Sequence, residues 1–193
     1  MQGLQEASRP AGGFETPGVG SEMLSQAIAM FQKVSPFLPP RVRNTALVRL
    51  YGLFGIPLIF FVAPVVEELT ADRCRIRIPL TWRTKNHLGS MYFGALAVGA
   101  DLSGALIGTT AILETGKRVE LIFKDFSAEF LKRATDDVVF TCTDGEATRN
   151  GIAETLRTKE RVAVKVNVVA TCPDVSGDAP VARFALTLAL KAR

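Results

Sequence analysis

Between residues 73 and 78 charged and apolar side chains alternate without a break, with Arg73, Arg75 and Arg77 set against Cys74, Ile76 and Ile78, and Leu80 keeps the apolar phase beyond Pro79. A period of two places one set on each face of a strand, so this segment predicts a strand with one buried and one wet face. Residues 65–69 predict the strand before it, and residues 70–72 the turn between them. Farther along, Val119, Leu121 and Phe123 keep one phase of the alternation, whereas Phe126, Ala128 and Phe130 keep the other. One extra residue shifts the phase of a strand, so a bulge is predicted near Lys124 and Asp125. Residues 138–143 predict a short strand. Val162, Val164, Val166 and Val168 then alternate with Arg161, Ala163, Lys165 and Asn167, and Phe184, Leu186, Leu188 and Leu190 with Arg183, Ala185, Thr187 and Ala189. Between these strands, residues 144–158 are polar with Ile152 and Leu156 four apart, which predicts a loop with a short helix.

Helical spacing governs the rest. Residues 1–20, rich in Gly, Pro, Ser and Glu, predict a disordered tail. Residues 21–55 predict a helical extension. Its first helix starts at the N-cap Ser21, carries Leu24, Ala27, Ile28, Phe31 and Val34, and is stopped by Pro36, Pro39 and Pro40. In its second helix Val42, Ala46, Leu50 and Leu53 share a face, with Arg41, Arg43 and Arg49 elsewhere. Residues 56–193 form the main domain, in which period two is expected to set in after Pro57. Residues 92–108 are apolar or small on every side except at Asp101, which predicts one fully buried helix. Antiparallel strands segregated from a single central helix make an α+β domain whose curved antiparallel sheet wraps that helix. Gly94, Ala97, Gly104, Ala105 and Gly108 are short enough for a sheet to approach closely.

At 193 residues, 48% hydrophobic and 22% charged, the chain can bury one core. Its net charge of +4 is scattered, so no nucleic-acid surface is expected. Cys74, Cys142 and Cys172 are far apart and the chain has one histidine, which argues against a disulfide framework or a metal site and for a reducing, cytoplasmic setting. Residues 1–20 lack the apolar core of a signal peptide. Residues 50–66 carry no charge and just reach spanning length, but Gly52, Gly55, Pro57 and Pro64 interrupt them. Each proline removes an amide donor, so no membrane span is expected.

Candidate chemistry centres on Asp101. Leaving a buried polar group unpartnered costs roughly 2–7 kcal/mol, and an ionised one costs more. An acid held there is therefore a functional candidate. Upstream, Asn86-His87-Leu88-Gly89-Ser90-Met91-Tyr92-Phe93-Gly94 forms a polar, glycine-bearing loop that runs into the helix N-terminus. First-turn amides and the positive end of the helix dipole can stabilise a carbonyl oxygen as it becomes negative. His87 is tempting as a base, although a loop histidine is more often structural.

The string Asn86-x-x-Gly89-Ser90-Met91-x-x-Gly94, with Asp101 seven residues after Gly94, resembles the hotdog-fold thioesterases of the PaaI-like group. The resemblance covers roughly residues 65–191. It implies a hotdog fold with extra N-terminal helices, assembled as a homodimer or as a tetramer built from dimers, with sites at the subunit interface. The implied activity is hydrolysis of an acyl-CoA or related thioester, with coenzyme A part of the substrate and no separate cofactor. By the same resemblance Asp101 is the general base or nucleophile, and Asn86 helps hold the carbonyl or the attacking water. The Phe93 or Gly94 amide is the oxyanion donor, and Tyr92, Phe93, Gly94, Gly89 and His87 surround the substrate. Where many relatives carry His-Gly-Gly, this chain has Tyr92-Phe93-Gly94, which predicts a tighter, more apolar pocket. The alternative is a non-catalytic acyl-CoA or lipid-binding hotdog protein. The N-terminal helices are expected to cover an open flank of the core; a lid over an acyl chain or a membrane-surface contact is the sharper alternative.

Overall fold

A computed structural model describes residues 37–193, so the expected tail and the first N-terminal helix lie outside the described residues. The chain runs through α1 (Pro40–Phe54), α2 (Pro57–Phe61), β1 (Val65–Leu69), β2 (Cys74–Ile78) and the long α3 (Phe93–Thr115). It continues through β3 (Val119–Phe130), β4 (Val138–Cys142), α4 (Gly145–Thr158), β5 (Val162–Thr171), the one-turn α5 (Pro173–Ser176) and β6 (Pro180–Ala192). The six strands form one antiparallel sheet in the order β1-β2-β4-β5-β6-β3, curved around α3.

The alternation does what period two requires. In β2 Cys74, Ile76 and Ile78 are fully buried, whereas Arg75 and Arg77 turn outward toward Glu67, with Arg77 Nε donating to Glu67 Oε1 at 2.7 Å. Helix α3 is held close by its small residues. A side chain at Gly99 would run into the buried Phe140 ring, one at Gly108 into Leu121, and one at Gly104 would press on Val166. The helix stops at Gly116, whose left-handed φ of 62° suits glycine and whose amide bonds back to Leu113. Among the described residues α3 is the one helix long and apolar enough to cross a bilayer. The sheet covers one side of it, while Ala97, Val98, Asp101, Ala105 and Leu106 are only half-buried, so the full burial expected from its composition is not met.

The register of β3 against β6 shifts between Phe123 and Asp125, at the expected bulge. The extra residue returns Phe126 to the face that Phe123 occupies, and both rings line the same groove beside α3.

Three further expectations need correction. Period two does not begin at Pro57: residues 57–61 form helix α2, because Pro57 sits in a first turn, where its missing amide costs nothing. Helix α1 is also rotated relative to its apolar stripe. Val48 and Gly52 are its buried residues, while Val42 and Leu53 stay about half exposed. Hydrogen bonds select that rotation. Arg49 donates from Nε to the Pro64 carbonyl and from Nη2 to the Ala63 carbonyl, both at 3.0 Å, and the Thr45 hydroxyl accepts the Val66 amide at 2.9 Å. Finally, residues 145–158 form a full helix rather than a short one. Its Thr148, Gly151, Ile152 and Thr155 are buried, and Gly151 leaves room for Val164.

The two sheet edges are unlike. At β1 the strand is short and α1 lies along it. At β3 twelve residues run along the edge, nearly all exposed, including Ile122, Phe123, Phe126 and Phe130.

Candidate active site

Asp101 sits midway along α3, one turn beyond Ala97 and Val98. Its carboxyl opens into a groove of about 300 Å³ lined by those two residues, Phe123, Phe126 and Leu186. Among the described residues it has no hydrogen-bond or ion-pair partner. Burial among apolar walls disfavours its charged form and pushes its pKa up to about 6. A carboxyl with that pKa is ionised at neutral pH yet basic enough to take a proton from water.

Asn86 begins a tight turn. Its Oδ1 accepts the Leu88 amide at 2.9 Å and the Ser90 amide at 3.3 Å, its own amide donates to the Ser90 carbonyl, and Nδ2 donates to Ser90 Oγ at 3.2 Å. The turn needs Gly89, whose φ is 77°. Nδ2 has a second hydrogen, and Asn86 faces a pocket of about 350 Å³. His87, Tyr92 and Phe93 share that pocket, and Lys132 and Arg133 stand at its other side.

The Tyr92 amide is taken by the Thr84 carbonyl, and no side chain caps α3. The Phe93 and Gly94 amides therefore open the helix with no intrahelical acceptor, as first-turn amides must. The Tyr92 ring lies over Gly94, where any side chain would meet it, and packs against the Phe93 ring at 4.7 Å. Tyr92 and Phe93 are nonetheless exposed, at 49% and 61%.

The structure thus gathers Asn86, His87, Tyr92 and Phe93 around one pocket, with Gly89 and Gly94 shaping the turn and the helix start. Asp101 opens into a different groove of the same protomer. Eight residues separate it from Phe93 in the sequence, about 12 Å along the helix axis. Sequence reasoning placed Phe123 and Phe126 only as strand residues. The predicted bulge was the signal that both rings would reach one side. Leu186 carried no such signal, since it joins the groove only through the pairing of β3 with β6.

The sequence matches the family described as a domain of unknown function, DUF4442, over residues 45–188. The chain belongs to this family. No curated protein matches the sequence. Solved structures resemble it over most of their length. A Pseudomonas aeruginosa protein, described as of unknown function and a probable thioesterase, is 24% identical with a TM-score of 0.64, over 81% of this chain and 97% of the other. A Chlorobaculum tepidum protein of unknown function is 12% identical with a TM-score of 0.66, over 79% and 97%. A Haemophilus influenzae thioesterase is 15% identical with a TM-score of 0.55, over 74% and 88%. The DUF4442 chain has the hotdog fold of these structures, with its curved antiparallel sheet around one long helix.

Proposed function

We propose that the protein hydrolyses an acyl thioester, most simply an acyl-CoA, with Asp101 as general base. The observation that carries this reading is the unpartnered carboxyl of Asp101, with its pKa near 6, in an apolar groove on the open side of the sheet. The Asp101 carboxylate takes a proton from water as the water oxygen bonds to the thioester carbonyl carbon. The carbonyl oxygen, now negative, accepts hydrogen bonds from the Phe93 and Gly94 amides. Collapse breaks the carbon–sulfur bond, and the proton held by Asp101 passes to the departing thiolate.

Water activation and oxyanion stabilisation lie in separate pockets of one protomer, so the reading includes a homodimer. Twofold pairing of the exposed β3 edges would set the Phe130 end of one strand against the Phe123 end of its partner. The Asn86 pocket of one copy would then face the Asp101 groove of the other, with Lys132 and Arg133 placed for anionic phosphates. The long apolar edge of β3 supports this, because such an edge rarely stays unpaired. The free thiols of Cys74, Cys142 and Cys172 are in keeping with a reducing compartment.

The test is a panel of acyl-CoA substrates of varied chain. Hydrolysis of at least one is expected, with kcat/KM falling by about 100-fold or more in Asp101→Asn. If no thioester is cleaved, or if the variant is as fast, the reading is wrong. The packing of Tyr92 on Phe93 beside the helix start favours a second reading, in which the site binds acyl-CoA without turnover. Saturable acyl-CoA binding with no released thiol would establish that reading instead.

A further inference from the structure

We propose that the surface built from α2, the end of α1 and the turn carrying Trp82 docks on an anionic membrane surface. This proposal stands apart from the reading of Asp101. The surface is strongly apolar: Tyr51, Ile56, Leu58, Phe60 and Phe61 are each 42–55% exposed, and Trp82 is 76% exposed. These side chains belong to one patch. The Phe61 and Trp82 rings meet edge to face at 6.1 Å, α2 packs back on α1 through Gly52, and the Arg83 guanidinium lies 5.7 Å over the Phe61 ring. Of the five residues of α2, only Ile59 is buried.

The chemistry of the patch selects its occupant. Aromatic rings flanked by basic side chains match the boundary between headgroups and acyl chains, where rings are solvated at one end and cations meet lipid phosphates. No Asp or Glu occurs between Phe37 and Val66, nor between Pro79 and Ala100, whereas Arg83 lies over the Phe61 ring and Lys85 follows two residues later. Asp137, which accepts the Leu80 amide at 2.8 Å, belongs to the ion-pair cluster in which Arg77 also meets Glu67 and Asp174. A basic and aromatic face whose own segments carry no acid complements the negative potential of an anionic bilayer. The rotation of α1 fits as well, since it spends polar contacts on the sheet and leaves Leu53 outside. Lys85 immediately precedes Asn86, so a docked surface would adjoin the turn that shapes the Asn86 pocket.

Trp82 is the one tryptophan in the sequence, so the fluorescence of the unmodified full-length protein reports on this patch alone. With vesicles containing phosphatidylglycerol, the protein is expected to co-sediment and the Trp82 emission to shift to shorter wavelength, both effects weakening as salt is raised. Arg83→Glu with Lys85→Glu should weaken binding by about tenfold or more. Leu58→Ser with Phe60→Ser, at exposed positions that spare folding, should abolish the shift. The proposal is overturned if the protein stays in solution, or if it pellets with the emission unchanged, since another face then binds. Equal binding to pure phosphatidylcholine vesicles also overturns it. So does a shift that grows with protein concentration without vesicles, because a second copy then covers the patch.

Discussion

The isolation of Asp101 predicts a measurable effect on stability and, if it is the base, on rate. Its pKa rises from 3.8 to about 6 on folding, because burial penalises the charge and nothing offsets it. Between those values the folded chain binds more protons than the unfolded one, so stability falls as pH rises through that window. The size is on the order of 2–3 kcal/mol between pH 4 and 7. Denaturant unfolding across that range should show this fall in the natural protein and a flatter profile in Asp101→Asn. If Asp101 is the base, kcat/KM should drop about tenfold per pH unit below about 6. A limb near pH 4, the range of an exposed carboxyl, would remove Asp101 from that role. Asp101 was legible in the sequence because an acid contradicts a helix that is otherwise apolar all round. The engagement of Asn86 was not, since an Asx turn and a substrate contact ask for the same residue.

Among the elements, legibility followed periodicity. The strands and the bulge of β3 were readable because a half-buried strand writes its register into alternate residues, as Val162, Val164, Val166 and Val168 do against Ala163, Lys165 and Asn167. Helices α1 and α4 were read less well. The apolar stripe of α1 suggested one docking face, but Thr45 and Arg49 satisfy backbone groups at the start of β1 and turn the helix another way. In α4 Ile152 is the one strongly apolar residue of the buried face, which is otherwise made by Thr148, Gly151 and Thr155, residues that carry little apolar signal. The fit of α3 under the sheet yields a prediction at this scale. Gly99→Ala forces a methyl against the fully buried Phe140 ring, so thermal unfolding should show a loss of about 1–3 kcal/mol. An unchanged midpoint would mean the helix and sheet are packed more loosely.

For the whole molecule, the separation of Asp101 from the Asn86 pocket can be tested by mixing two defective chains. Asp101→Asn and Asn86→Ala should each be impaired alone. If one site draws on two protomers, a heterodimer of the variants retains one intact site, and random assembly restores about a quarter of the natural activity. No recovery would place both residues in one protomer's site. At this level the sequence spoke through the family resemblance alone, because residue spacing orders a chain against itself and says nothing of a second copy. The unequal treatment of the sheet margins sets the size of what pairing can build. Only one margin can accept another strand, since the Thr45 hydroxyl takes an outward amide of β1 and α1 lies across the rest. Strand addition therefore saturates after a single joining event, giving a finite body with two blunt ends instead of an extending ribbon.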